Sequence, residues 1–233
     1  MNHKILNKLE QMIHVSPQLL RNPNTMRQAI QATFNVTVDD VEYENIGQLV
    51  DRIDDKVLSH YFANVWQGEM SKYKYSGPAL IDEINKLKPR HVLDIGCGYH
   101  EFKGKIDNIF GIDPYNTKAD LCVSLLEYQT DIKFDAMLAL GSINFGSTDK
   151  VFAELEHAVS LCNPGAVMFF RVNPGLPHDE ADRPVSKNYS NWIYFYPWDA
   201  NFIVNCAEQL NVDILDIKTD SHRGRIYFVW RTK

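Results

Sequence analysis

The sequence predicts an α/β protein in which a helical region is followed by a mostly parallel sheet that ends in an antiparallel hairpin. From about residue 76, short continuous apolar runs alternate with amphipathic segments, a pattern typical of parallel strands buried on both faces. The last two apolar runs are joined only by Lys218–Gly224, which is too short for a helical crossover, so these strands should pair antiparallel. Before residue 76, apolar residues recur at a spacing of three to four, which indicates helices.

The N-terminal region is predicted to be helical throughout. Three apolar stripes at helical spacing begin near Ile5, Met26 and Ile46. A Ser-Gly-Pro sequence after the third stripe indicates a linker, which divides the chain into residues 1–75 and 76–233. We expect the helical region to be a packing appendage; the alternatives are a lid over a site or a contact that forms a homo-oligomer.

The second region is predicted to contain seven strands connected in part by helices. The predicted strands are His91–Ile95, Ile109–Asp113, Leu121–Val123, Phe134–Leu140, Ala166–Val172, Val212–Ile217 and Arg225–Trp230. The predicted helices are Leu80–Leu87, Thr148–Leu161 and Asp199–Leu210.

The connections after the first two strands are unusually short. Tyr99–Asn108 has room for only a short helix, and Asp113–Asp120 is too short for a crossover helix. We therefore expect this face of the sheet to be bare or to be covered by the N-terminal helices.

The composition is that of a globular protein from a reducing compartment. The chain has 233 residues, of which 45% are hydrophobic and 23% are charged, and its four cysteines form no CxxC pair. The start of the sequence shows no signal peptide, and apolar runs are too short to span a membrane, so a cytoplasmic location is expected. The net charge of −6 gives no general attraction to nucleic acid, although a local basic patch would still bind one.

The sharpest local signal is a glycine-rich turn after the first predicted strand. Asp94-Ile95-Gly96-Cys97-Gly98 lets the backbone approach a ligand closely, because two of its residues carry no side chain. Asp113 ends the next strand, and an acid at that position accepts hydrogen bonds from ribose hydroxyls. Ligands of open parallel sheets bind at the carboxyl ends of strands, where both elements fall.

From about residue 77 to the end, the sequence resembles the class I S-adenosylmethionine-dependent methyltransferases. Asp94–Gly98 matches their first motif, and Gly111–Asp113 matches the acidic end of their second strand. Phe134–Ser142 resembles their fourth strand and the loop that follows it, and Pro164-Gly165 resembles the turn before their fifth. The resemblance implies a Rossmann-like, seven-stranded sheet with a reversed last strand; it does not extend to the N-terminal helical extension.

The resemblance also implies S-adenosylmethionine as cofactor and a set of residues that bind it. Asp113 would hold the ribose, Pro114 or Tyr115 would lie against the adenine, and the glycine turn would run past the aminoacyl and ribose parts. The full set is Asp94, Gly96, Cys97, Gly98, Asp113, Pro114, Ser124, Leu125, Leu140 and Gly141. The family's third glycine is His100 here, which places a side chain where the family has none.

The loops after the fourth and fifth strands should face the methyl group. The first offers Asn144, and the second offers His178 as a general base, because an imidazole titrates near neutral pH. Acidic residues follow His178, but such loops are usually solvated, so no metal is expected. Gly141–Phe145 lacks the prolines of an Asn/Asp-Pro-Pro-Tyr motif, which disfavours methylation of an exocyclic base nitrogen.

The sequence thus predicts a methyltransferase that acts on a small molecule, which is favoured, or on an exposed group of a macromolecule. A non-catalytic binding or structural protein built on the same fold is the alternative, suggested by the shortened connections and the lack of an obvious catalytic side chain. A dehydrogenase-like nucleotide-binding enzyme is the third hypothesis, because Asp113 would serve there too. The final hairpin and His100 argue against it.

Overall fold

The computed structural model describes residues 1–39, 45–66, 75–174, 192–220 and 224–233. The chain divides into two compact units. The first comprises Met1–Trp66 with Pro177–Tyr194, and the second comprises Gln67–Leu176 with Phe195–Lys233.

Three α-helices form the frame of the first unit: α1 (His3–Val15), α2 (Pro23–Phe34) and α3 (Ile46–His60). Each begins after an asparagine whose side-chain oxygen accepts hydrogen bonds from backbone N–H groups of the first turn. The capping residues are Asn2, Asn22 and Asn45. The predicted apolar stripes are therefore helices, with asparagine side chains fixing where they begin.

The first unit has its own core, to which a distant segment contributes. The apolar stripes are buried through Ile5, Leu9, Met26, Ile30, Phe34, Leu49, Val50, Ile53 and Val57. The Trp192 ring packs edge-on against the Phe34 ring, with the two ring centroids 4.7 Å apart. The Asn2 side-chain amide donates to the Trp192 carbonyl at 2.5 Å and to an Asp54 carboxylate oxygen at 2.9 Å. Trp192, which is far from the three helices in sequence, thus packs into their common core.

A six-stranded sheet forms the centre of the second unit. Its strands are β1 (Val92–Ile95), β2 (Ile109–Ile112), β3 (Phe134–Leu140), β4 (Cys162–Val172), β5 (Val212–Thr219) and β6 (Ile226–Thr232). Their spatial order is β2-β1-β3-β4-β6-β5. Strands β1 to β4 run parallel to one another, and β6 runs antiparallel to both β4 and β5. The predicted mostly parallel sheet with a terminal antiparallel hairpin is confirmed.

The prediction of seven strands is wrong for the described residues, because Leu121–Val123 does not form a strand. The structure has only an isolated parallel bridge there, between Ile112 and Leu121. The N–H groups of Asp120 and Leu121 both donate to the Gly111 carbonyl, at 2.9 and 3.3 Å, which ends the pairing after one residue. Leu121 is 44% exposed, so no apolar face holds a longer strand in place.

The central strands β1 and β3 are buried on both faces, as their continuous apolar sequences predict, whereas the edge strand β5 is largely exposed. Helices α5 (Thr148–Ser160) and α6 (Ala200–Gln209) contribute to the larger core, and α4 (Ala79–Lys86) contributes to the smaller one. Along β3 the side chains alternate: Met137 and Ala139 face the larger core, while Ala136 and Leu138 face the smaller one. None of the helices in the described ranges is long and apolar enough to cross a membrane.

The segment between β1 and β2 forms turns instead of the short helix for which the sequence leaves room. Phe102 and Ile106, only 7% and 2% exposed, pack from these turns into the smaller core. A crossover helix is therefore replaced by two buried side chains on compact turns.

We predict that Phe170→Ala strongly destabilises the second unit. The Phe170 ring is 2% exposed and stacks on Phe228 with centroids 4.5 Å apart, so truncation leaves a cavity that costs about 3–5 kcal/mol. Leu215→Ala is the control, because that residue is 44% exposed, and it should cost much less. Urea denaturation measures both, and equal losses would show that the Phe170 contacts do not hold the sheet together.

Candidate functional site

A left-handed bend leaves the carboxyl end of β1. Gly96 and Gly98 have φ angles of 65° and 55°, which side chains rarely permit. The N–H groups of Gly96 and Cys97 donate to the carbonyl of Ile112 at 2.8 and 3.1 Å. The bend is thus fixed to the end of β2, which is the neighbouring strand.

Asp113 lies directly beside this bend. Its Oδ2 accepts the Gly98 N–H at 2.9 Å, and its Oδ1 accepts the N–H groups of Tyr115 and Asn116 at 2.8 and 2.9 Å. The residue is 8% exposed. A carboxylate has about four acceptor positions, so three backbone bonds leave room for a ligand hydroxyl. The structure therefore brings together the two sequence-predicted elements of the site.

A second carboxylate is buried behind the bend. Asp94, in β1, is 3% exposed, and its pKa is raised to about 7 by burial first and by repulsion from Asp113 second. The positive charge of Arg171 opposes this rise. The same environment raises the pKa of the Cys97 thiol, mainly through burial and then through both carboxylates, so this thiol is neutral.

The loop after β3 closes over Gly96. A Cβ atom on Gly96 would lie 2.3 Å from Ser142 Cβ. The absence of a side chain at Gly96 therefore lets the two loops contact each other. The Ser142 hydroxyl oxygen is buried without a hydrogen-bond partner in the described part of the chain. The neighbouring Gly141, with φ 100°, lies against the guanidinium of Arg171, whose Nη2 is 3.1 Å from where a Cβ would stand. Ser142 thus meets the bend, while Gly141, one residue earlier in the same loop, lies against Arg171.

Comparison with known proteins gives a fold but no sequence relative: no family model and no curated protein matches the chain. Among solved structures, the 1,6-didemethyltoxoflavin-N1-methyltransferase of Burkholderia thailandensis, with bound S-adenosylhomocysteine, is similar at TM-score 0.58 and 14% identity, over 85% of this chain and 95% of that one. The N-methyltransferase NodS of Bradyrhizobium japonicum WM9, in complex with S-adenosylhomocysteine, gives 0.54 and 12%, over 81% and 99%. This is the class I methyltransferase fold. The magnesium protoporphyrin IX methyltransferase of Synechocystis PCC 6803, with bound S-adenosylmethionine, agrees at 0.50 and 13%, over 83% and 100%.

His100 is the main departure of this chain from the glycine pattern of the methyltransferase family. It has φ 55° and is 5% exposed. A Cβ on Gly111 would lie 2.7 Å from its Nε2 and 2.8 Å from the Cys97 sulfur, so the ring packs directly against β2. Its Nδ1 lies 3.6 Å from an Asp120 carboxylate oxygen, and burial lowers its pKa, which keeps the ring neutral. His100 therefore fills space beside the sheet that a third glycine would leave open.

Two predicted adenine-side residues have structural roles in this fold. Ser124 donates its hydroxyl to Glu127 at 2.5 Å and caps a short 3₁₀ turn. Leu125, in that turn, is 6% exposed and belongs to the larger core. Their contact with a cofactor, like that of Pro114, stays a prediction.

Of the two predicted catalytic residues, Asn144 is described and His178 lies outside the described residues. Asn144 is 3% exposed, and its Oδ1 accepts the Asn173 N–H at 3.0 Å. Its carbonyl accepts the Tyr196 N–H at 2.7 Å. These bonds join the loops after β3 and β4, so Asn144 fixes the two loops to each other. Among the described residues, no group of three or more His, Cys, Asp or Glu residues is placed to hold a metal ion.

Sequence reasoning missed Asn173 and Arg171 as members of this region. Asn173 directly follows β4, is 3% exposed, and has a side-chain nitrogen without a partner in the ranges that the structure describes. Arg171 interrupts an otherwise apolar strand next to its carboxyl end. A charged residue in a buried strand and an amide at its end were the available signals, since buried polar groups need partners.

We predict that Gly111→Ala destabilises the fold by about 1–3 kcal/mol, because its Cβ would overlap the His100 ring and the Cys97 sulfur. The same change in a His100→Ala background should cost distinctly less, since part of the obstruction is gone. Denaturation of the two single variants and the double variant measures this coupling. Strict additivity would mean that the ring does not press on β2.

We predict that Asp94→Asn gains stability relative to the wild type as pH rises from about 4 to about 7. The folded pKa of about 7 exceeds the ordinary value of 3.8, so the folded chain keeps a proton that the unfolded chain releases in this window. Wild-type stability therefore falls with rising pH, by at most about 1.4 kcal/mol per pH unit from this group. Urea denaturation from pH 5 to pH 8 checks this, with exposed Asp131→Asn as the control. A gap between Asp94→Asn and the wild type that does not change with pH would contradict the assignment.

Proposed function

We propose that this chain is an S-adenosylmethionine-dependent methyltransferase that acts on a small molecule or on an exposed group of a macromolecule. The observation that carries the proposal is the 2.9 Å hydrogen bond between the Gly98 N–H and the Asp113 carboxylate, at the carboxyl ends of adjacent parallel strands. On a methyltransferase fold, an acid beside a glycine bend at this position supports the proposal that Asp113 binds the ribose of the cofactor.

The residues present fit the chemistry of this cofactor. The remaining acceptor capacity of Asp113 suits a ribose hydroxyl. The bend at Gly98 lets the protein backbone approach the ligand closely. The buried Ser142 hydroxyl, unpartnered within the described ranges, suits a polar group of the methionyl end. Leu140 and Gly141 lie at that end in our proposal.

Charge supports the same assignment. When bound, S-adenosylmethionine supplies an electrophilic methyl group on a positively charged sulfur. Asp94 and Asp113 are both buried and repel each other, which is why the pKa of Asp94 is raised to about 7. A cation in the cleft would relieve this repulsion, because opposite charges at short range favour ionised carboxylates. The chain therefore favours a cationic ligand over a neutral one of the same shape.

The methyl acceptor is proposed to bind beyond β3 and β4, where Asn144 and Asn173 are buried. Methyl transfer needs mainly proximity and alignment of the acceptor, and the amide of Asn173 offers a donor for an acceptor oxygen. A base is required only for an acceptor that is protonated at working pH, and His178 remains our prediction for it. Small-molecule acceptors are favoured, because similar solved structures include a didemethyltoxoflavin methyltransferase and a magnesium protoporphyrin methyltransferase.

A binding protein without turnover is the second candidate function. It is favoured by the contact of Ser142 with Gly96 and by the turns that replace the first crossover helix. Such a protein would show no methyl transfer to any acceptor while keeping its fold. Detection of S-adenosylhomocysteine release in an acceptor screen separates the two functions.

We also propose a cytoplasmic location, because the four cysteines are free thiols and a reducing compartment suits them. For the N-terminal helices, a packing role is proposed first, with a lid or a homo-oligomer contact as alternatives. Nucleic acid stays a second class of acceptor, and neither a metal nor a membrane enters the proposal.

We predict that Asp113→Ala weakens binding of S-adenosylmethionine by about ten-fold or more, because hydrogen bonds to charged groups are worth about 1.5–3 kcal/mol. Calorimetry with S-adenosylmethionine, S-adenosylhomocysteine and NAD measures this, and the wild type should bind only the first two. Asp131→Ala, a change at an exposed loop residue, is the matched control.

Asp113 also accepts a hydrogen bond from the bend, so a change at this residue can lower stability as well as affinity. A thermal unfolding measurement of each variant must therefore accompany its titration. Asp113→Asn separates the two roles, since it keeps one acceptor oxygen but removes the charge. Unchanged affinity in both folded variants would remove Asp113 from the site. A folded wild-type chain that binds neither adenosyl compound would overturn the methyltransferase proposal.

A further inference from the structure

Arg171 projects from β4 at the carboxyl end of the sheet. It pairs in register with Leu140, the last residue of β3. Its Nη2 donates to the Leu140 carbonyl, and its Nη1 donates to the hydroxyl of Ser76 at 3.2 Å. Ser76 is 2% exposed and precedes α4. A half-buried guanidinium is thus oriented by partners from two different elements.

This guanidinium is linked to the bend by a short series of contacts. Its Nη2 lies 3.1 Å from the position a Gly141 Cβ would take, and the next residue, Ser142, touches Gly96. Its charge also acts on Asp94, behind the bend. Arg171 therefore places a positive charge close to the part of the cleft that we assign to the methionyl end of the cofactor.

That end of the cofactor carries a carboxylate, which requires a cationic or N–H-rich partner in this acidic surrounding. In strand-turn-helix sites, the N-terminus of the helix after the glycine turn commonly binds the anionic group. Here Tyr99–Asn108 is described throughout and forms turns, so the usual helix N-terminus is replaced.

Two other cations near these elements, Lys103 and Arg90, are less well placed. Lys103 is paired with Asp120 beside His100. Arg90 lies before β1, at the opposite end of the sheet, and its side chain is 81% exposed. Arg171 combines a position at the carboxyl ends with orientation by buried partners.

We propose that Arg171 binds the carboxylate of the cofactor's amino acid end, and that Ser76 positions its guanidinium for this contact. The proposal rests on the proposed function. A planar guanidinium matches a carboxylate with two parallel N–H bonds, a geometry that lysine does not reproduce. Arg171 thus fulfils in this chain the anion-binding role that a helix N-terminus fulfils in other glycine-turn sites.

The test compares two ligands by titration calorimetry on the full chain. S-adenosylhomocysteine carries the carboxylate, and its decarboxylated analogue, S-adenosyl-3-thiopropylamine, lacks only that group. We expect the wild type to prefer S-adenosylhomocysteine by about ten-fold, from a charge-assisted, two-point contact. Arg171→Met should lose this preference through weaker binding of S-adenosylhomocysteine alone, and Arg171→Lys should keep part of it.

Arg90→Met is the matched control, because it removes the same charge from an exposed position and should leave the preference intact. Ser76→Ala should reduce the preference for S-adenosylhomocysteine without abolishing it. If Arg171→Met fails to fold, Ser76→Ala and Arg171→Lys together test the inference. Equal weakening of both ligands in the folded Arg171 variants would overturn the inference and leave the proposed function standing. A wild type that binds neither ligand would overturn the proposed function, and this inference with it.

Discussion

The bond from the Gly98 N–H to the Asp113 carboxylate is the constraint around which the candidate site is arranged. It requires β1 and β2 to be adjacent and parallel, which fixes the register from Val92 and Ile109 onward. It also requires a left-handed bend, which the two glycines permit. Because Asp113 accepts three backbone N–H groups, its charge is held in place before any ligand arrives, so little reorganisation is needed on binding.

The shortened connections around β2 have a physical compensation. A crossover helix normally covers a parallel sheet and supplies an N-terminus for anions. Here Phe102 and Ile106 supply the buried apolar surface, and the His100 ring closes the gap beside Gly111. Neither replacement supplies a helix N-terminus. A cation from another strand can balance an anionic group at the bend, which connects the loss of the helix to the position of Arg171.

The sequence was most informative where a local pattern decides the structure. Short continuous apolar runs predicted six of the strands, and apolar residues at a spacing of three to four predicted the helices. The short link before β6 predicted the antiparallel hairpin. It was least informative where distant residues decide. Nothing near Trp192 indicates that it packs on Phe34, and nothing near Ser142 indicates that it fills the space beside Gly96. The Leu121–Val123 strand failed for a related reason, because β propensity cannot hold an edge strand that lacks a covering helix.

The electrostatics of the site connects binding with product release, given the proposed function. Asp94 and Asp113 lie at the ends of adjacent strands and favour a cation in the cleft. Methyl transfer converts a positively charged sulfur into a neutral thioether, so this attraction is lost once the reaction has occurred. Arg171, in contrast, faces the amino acid end, whose charge does not change. The carboxylates would therefore distinguish cofactor from product, while the guanidinium would hold both equally and contribute binding without selectivity between them.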